Sequence, residues 1–209
     1  MELREAFNNY VSSVPIVKEG LSEGASDEEI GTLLDGIGRN NTEEIAELLK
    51  FANGEKEENN TGVIAGLYLL SSKRILSEYA YFKECGIEFT SIGTDAIMEE
   101  DNPDRKWIPF AYDCGRCFFA IDLSPAKSGK VGQIITIDLD YDQCYLLADS
   151  LCDMFEKFTK WYKEGILVIN EEDGEKYLSG QNGHFFDSLD ELLVSTSVTV
   201  NFFEYCVFQ

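Results

Sequence analysis

Two apolar runs, 117–123 and 131–137, flank a short segment rich in Pro, Ser, Gly and Lys. Apolar runs bounded by turn residues and joined by a short polar loop read as two neighbouring antiparallel strands. The stretch Trp107-Ile-Pro-Phe-Ala-Tyr112 just upstream adds a third strand. A mostly antiparallel sheet is therefore expected at the centre of this chain.

The covering elements are legible from helical spacing. Leu3, Phe7, Tyr10, Val11 and Val14 recur at the spacing of a short amphipathic helix. Ser26 and Glu29 have capping-box spacing ahead of Ile30, Leu33, Leu34 and Ile37, and Asn41 and Glu44 repeat it ahead of Ile45, Leu48, Leu49 and Ala52. Gly54 suits the left-handed residue that ends a helix. A helix is expected near 72–84. Ser150 caps a long one through Leu151, Met154, Phe155, Phe158, Trp161 and Tyr162, ending at Gly165. Strands are expected near 63–70, 107–112, 117–123, 131–138, 166–170 and 198–207, with a short helix at 189–193. The class is α+β: a mostly antiparallel central sheet with N-terminal helices and a long helix from the C-terminal half packed around it.

The order of these pieces resembles the SUKH superfamily. Its pattern runs as a Trp-x-Pro-Phe strand, a small-residue turn, an apolar strand ending in Asp-x-x-Pro, a glycine-containing loop and a Gly-Gln strand. Here these are Trp107 to Phe110, Phe118 to Asp122 with Pro125, and Gly132-Gln133. Phe51-Ala-Asn-Gly54 resembles the family's Asn-Gly helix stop, Gly66 to Ser71 its first strand, and Ala148 to Phe158 its closing helix. The resemblance covers about 25–162, within a single domain spanning 1–209, and leaves 163–209 as a C-terminal extension. Cys114-Gly-Arg-Cys117 and a longer acidic segment near 75–106 depart from the pattern. The resemblance implies a binding protein: an immunity protein that neutralises a cognate bacterial toxin domain by stoichiometric contact. The alternative is an intracellular scaffold or regulatory module like the superfamily's fungal cell-wall regulators.

Charge sharpens the expected partner. With 17 basic and 39 acidic residues the chain carries a formal net charge of -22, which repels phosphate backbones and anionic lipid and favours a basic partner. A toxin nuclease, basic because it must hold phosphate, fits that requirement; nucleic acid and membrane do not. Residues 84–104 hold seven acids without one Lys or Arg. Within them Glu99, Glu100, Asp101 and Asp104 are expected on an exposed loop that steers the partner, with Asp138, Asp140 and Asp142 as a second acidic set, alternating as on one strand face. Neither a leader nor a membrane span is expected, so the chain is read as a cytoplasmic protein, monomeric by default.

Chemistry receives little support. Cys114 and Cys117 have the spacing of half a zinc site, but no second tight ligand pair is evident, so no metal or other cofactor is expected and the thiols are read as free. The single histidine, His184, sits in a Gly-Gln-Asn-Gly loop without a recognisable nucleophile and is read as structural. The expectation is no enzyme. Trp107, Pro109 and Phe110 are read as an apolar corner of the core, and Asp122 and Pro125 as strand-terminating scaffold.

Overall fold

In a computed structural model of the protein, residues 1–56, 61–85, 89–98, 105–189 and 192–193 are described. Helices α1 (Leu3–Ser13), α2 (Pro15–Gly20), α3 (Asp27–Ile37) and α4 (Glu43–Phe51) come first. Then follow β1 (Tyr68–Leu69), α5 (Ser72–Cys85), β2 (Thr90–Ile92), β3 (Trp107–Tyr112), β4 (Cys117–Asp122), β5 (Gln133–Asp138) and β6 (Gln143–Ala148). Helix α6 (Leu151–Lys163), the hairpin β7 (Leu167–Glu172) and β8 (Glu175–Gly180), and a 3-10 turn at Phe185–Ser188 complete the described chain. This is the α+β arrangement expected.

Among the described residues the main sheet has six strands in the order β1-β3-β4-β5-β6-β2. Strands β3 to β6 form an antiparallel meander, and β2 adds parallel to β6. One sheet face carries Phe119 and Ile121 against α1, α4, α6 and the 3-10 turn. Its centre is aromatic: Phe119 packs 6.0 Å from Phe158 and 5.9 Å from Phe185, and Tyr10 packs 5.5 Å from Phe155. The opposite face carries Trp107, Phe118, Ala120, Ile135, Ile137 and Cys144 against Phe82, Phe89 and Ile97. Strands β4 and β5 are thus buried on both sides, which is why their sequences are continuously apolar.

The local signals at the helix ends behave unequally. Ser26 and Glu29 close the capping box, with the Glu29 N–H donating to Ser26 Oγ at 3.2 Å and the Ser26 N–H donating to Glu29 Oε2 at 2.8 Å. Ser150 accepts from the Asp153 N–H at 3.1 Å. Asn41 and Glu44 form no such box. Asn41 is left-handed at φ 58°, Thr42 is the N-cap, and the Glu44 carboxylate instead accepts from the Leu151 N–H at 3.1 Å, so it serves the start of α6. Helix α4 ends at Phe51, and Gly54 (φ +92°) lies beyond it, with the backbone of Leu70 and Ser71 so close that a Cβ would fall 2.8 Å from the Ser71 nitrogen. Asn53 beside it accepts from the Ser72 N–H and donates to Glu29, tying α3 to the start of α5.

Several expectations are corrected. The strand expected over 63–70 shrinks to Tyr68–Leu69, because Gly62, Ala65 and Gly66 are all left-handed and cannot continue a strand. The Glu55 carboxylate gathers the N–H groups of Thr61, Gly62 and Val63 there instead. Strand β5 begins at Gln133, after left-handed Gly132 and exposed Val131. Strands β2, β6 and β8 and helix α2 were not anticipated. The strand at 198–207 lies outside the described residues, as do 190 and 191 of the helix expected at 189–193, whose described positions Leu189, Leu192 and Leu193 are helical. Among the described residues, no helix is long and apolar enough to cross a membrane.

The family-pattern residues are scaffold, as expected. Trp107 is 3% exposed, 4.8 Å from the Phe89 ring and 4.7 Å under the Arg105 guanidinium. Pro109 stands at a register shift in β3, where β1, paired only with Ala111 and Tyr112, does not need its missing N–H. Asp122 Oδ1 accepts from the Ser124 N–H, and its Oδ2 accepts from Gln133 Nε2, which also donates to the Ala96 carbonyl. Buried Gln133 thereby satisfies the buried carboxylate, giving the Gly-Gln pair a physical role.

Candidate functional site

The β3–β4 and β5–β6 turns lie at the same end of the sheet, because Cys117 pairs with Asp138 across β4 and β5. Each turn is built by an aspartate. Asp113 Oδ1 accepts from the N–H groups of Gly115 and Cys117 at 2.8 and 3.0 Å, and left-handed Cys114 completes the reversal. Asp138 Oδ1 accepts from those of Asp140 and Tyr141 at 2.9 and 3.2 Å. Arg116 binds the two turns together: its Nε is 2.8 Å from Asp140 Oδ1, and its guanidinium donates to the Leu139 carbonyl at 2.6 Å.

The acids of 138–142 therefore do not share a strand face. Strand β5 stops at Asp138, whose carboxylate must fold back to hold the turn, so the alternation read from sequence breaks there. Asp138 is 8% exposed and turned inward, Asp140 is exposed but ion-paired with Arg116, and Asp142 is exposed in a left-handed conformation. Tyr141, 74% exposed, stands between the last two at the tip. Glu99, Glu100, Asp101 and Asp104 lie outside the described residues. Sequence reasoning passed over Tyr141 and Arg116; the only signal was an aromatic between two acids in a segment that could as well have been strand.

Behind the turns, His184 is brought against the same sheet end. A bridge between Gly180 and Gly183 bends the chain after β8, and Gly183 takes φ 124°. Phe185 is then driven into the core beside Phe119, Phe158 and Trp161, which aims the preceding imidazole at β3–β4. His184 Nε2 lies 3.5 Å from Asp113 Oδ2, and these two groups and the Cys117 thiol have their ligand atoms within 4.8 Å of one another. Burial, and then the charges of Asp113 and Asp138, push the Cys117 thiol far above its ordinary range. Tyr112, which hydrogen-bonds Cys114 and is partly desolvated, is pushed up to about 12. Cys117 and Cys144 lack the depressed pKa of a redox or nucleophilic cysteine, since burial raises both.

Comparison with known proteins places the chain. The SMI1 / KNR4 family (SUKH-1) profile matches residues 25–157. The glucan synthesis regulatory protein of Neurospora crassa is 22% identical over 211 residues, covering 82% of this chain and 39% of that protein. The KNR4/SMI1 homolog 2 of Debaryomyces hansenii is 37% identical over 84 residues, 40% of this chain and 13% of its own length. The cell wall assembly regulator SMI1 of Saccharomyces cerevisiae is 27% identical over 115 residues, 44% of this chain and 23% of its own. The chain spans well under half the length of these relatives. With the profile covering more than half of the sequence, and with its Trp-x-Pro-Phe strand, Asp122–Gln133 pair and closing helix α6 each in a defined structural role, the chain belongs to the SMI1 / KNR4 family (SUKH-1).

Proposed function

We propose that the chain is a regulatory protein-interaction module that binds a basic partner through the sheet end formed by the β3–β4 and β5–β6 turns. The observation that carries this reading is the tip itself, where exposed Tyr141 projects between exposed Asp140 and Asp142 on a turn fixed by Asp138 and Arg116. A rigid aromatic flanked by acids is the composition of an interface anchor, because the ring supplies apolar area at little entropic cost and the carboxylates steer and orient a cationic surface. The net charge of -22 extends the same preference over the whole molecule. The relatives, named as regulators of glucan synthesis and cell-wall assembly, favour this regulatory reading over toxin immunity.

The immunity reading keeps one observation in its favour, the phosphate-like acidity that would suit a basic toxin nuclease. Both readings describe stoichiometric binding rather than catalysis, in a cytoplasmic setting, by one domain spanning 1–209. The test is affinity capture with the full chain, with a Tyr141→Ala/Asp142→Asn variant run in parallel. A partner released by salt and not retained by the folded variant supports the proposed surface, and its identity as a regulatory assembly or a nuclease toxin separates the two readings. Equal retention by both proteins refutes it.

A further inference from the structure

We propose that Asp113, Cys117 and His184 form a binding site for one divalent cation of the zinc class, with a remaining coordination position open to water. Spacing alone does not show such a site, because no second tight ligand pair is evident and His184 lies 67 positions from Cys117, beyond the family-matched region 25–157. The fold supplies what the spacing lacks. The β3–β4 turn places an oxygen and a sulfur ligand together, and the loop after β8 brings a nitrogen to them.

The geometry suits a metal better than a hydrogen-bond cluster. His184 Nε2 is shut off from solvent without a hydrogen-bond partner, since its 3.5 Å separation from Asp113 Oδ2 is too long for one. Two ligands each about 2.0 to 2.1 Å from a tetrahedral zinc lie roughly 3.3 Å apart, close to that separation. An edge to sulfur is about 3.6 Å, so the widest ligand separation here needs at most about an ångström of closure. Asp113 is preset for the role, because its Oδ1 is held by the Gly115 and Cys117 N–H groups while Oδ2 faces the imidazole. A mixed sulfur, nitrogen and oxygen set favours zinc over calcium or magnesium, which take oxygen shells.

Electrostatics points the same way. The carboxylates of Asp113 and Asp138, each folded into its turn beside Cys117, leave a negative field that a dication would cancel. Binding displaces the thiol proton to solvent, leaving one thiolate, one carboxylate and one neutral imidazole around the ion, so the three ligands and the dication sum to zero charge. The imidazole proton must then reside on Nδ1, which at present accepts a long 3.4 Å bond from the Phe186 N–H. That weak bond is lost, and the Phe186 amide becomes a local reporter.

The test is titration of the reduced, chelator-treated full chain with zinc alone, followed by calorimetry, with cobalt(II) as a spectroscopic substitute. The expected result is saturation at one ion per chain, about one proton released per ion, a thiolate-to-cobalt charge-transfer band, and movement of the Phe186 amide. His184→Ala and Cys117→Ser each weaken binding about a hundredfold, and Cys114→Ser leaves it unchanged. Should Cys117→Ser fail to fold, Asp113→Asn serves in its place, since it keeps the Oδ1 acceptor that shapes the turn. The proposal is overturned by absence of saturable one-to-one uptake, by uptake indifferent to His184→Ala, or by uptake lost in Cys114→Ser, which would mark surface thiol binding.

Discussion

Replacing Trp107 by alanine should damage the fold and not one particular surface. The indole is 3% exposed, tilted against Phe89 and covered by Arg105, in the smaller of the two apolar layers. Burying an aromatic side chain removes roughly 200 Å² from water, which at about 25 cal/mol/Å² gives an upper figure near 5 kcal/mol. The indole N–H faces the Asp122 carboxylate without ordinary hydrogen-bond geometry, and Ser124 and Gln133 still satisfy that carboxylate when the ring is removed, so the cost is chiefly transfer plus cavity, about 3 to 5 kcal/mol. In a chain of 209 residues that lowers the melting temperature by roughly 6 to 20 °C. Urea unfolding followed by the remaining tryptophan, Trp161, reads the change as a lower midpoint with unchanged slope. A Trp107→Ala protein within about 1 kcal/mol of the parent would refute the packing argument, and one that was stable but had lost its partner would make the indole an interface residue.

Two partly buried carboxylates, Glu44 and Glu55, make separable predictions. Glu44→Ala should cost about 1 kcal/mol by stripping the Leu151 N–H at the start of α6, and Ser150→Ala a similar amount, both measurable by denaturant titration. Burial pushes the Glu55 carboxyl up to about 7 against the pull of three backbone N–H groups. The folded chain then holds that proton more tightly than the unfolded one, so its stabilisation is present below the ordinary carboxylate range and lost as pH rises through about 7; Glu55→Gln should flatten that part of the stability profile. Changing Glu99, Glu100, Asp101 and Asp104 together to Asn or Gln should leave the melting temperature nearly unchanged or slightly higher. It should slow association with a basic partner about tenfold at low salt, and a parental rate there would remove this segment from the steering surface.

What was legible in the sequence was whatever depends on neighbours along the chain. The Ser26–Glu29 box, the Ser150 cap and the antiparallel pairing of β4 with β5 follow from local pattern alone, and each stands in the structure. What escaped depends on contacts far apart in sequence. Asn41 and Glu44 have the spacing of a cap, but Glu44 is used 107 positions away, at Leu151. Strand β6 alternates weakly and was passed over because the acids before it were read as strand, when Asp138 ends β5 by hydrogen-bonding its own turn. The meeting of His184 with Asp113 and Cys117 leaves no trace in spacing, since it is produced by Phe185 anchoring in the core on the other side of the loop.

The most direct measurement of the central claim is the affinity and association rate of the captured partner for the parent chain and for Asp140→Asn/Tyr141→Ala/Asp142→Asn, across a range of salt. If the sheet end is the binding surface, the folded triple variant loses at least about a hundredfold in affinity, through faster dissociation where the ring is gone and slower association at low salt where the charges are gone. A triple variant that binds with the parental rate and affinity at every salt concentration would contradict the account.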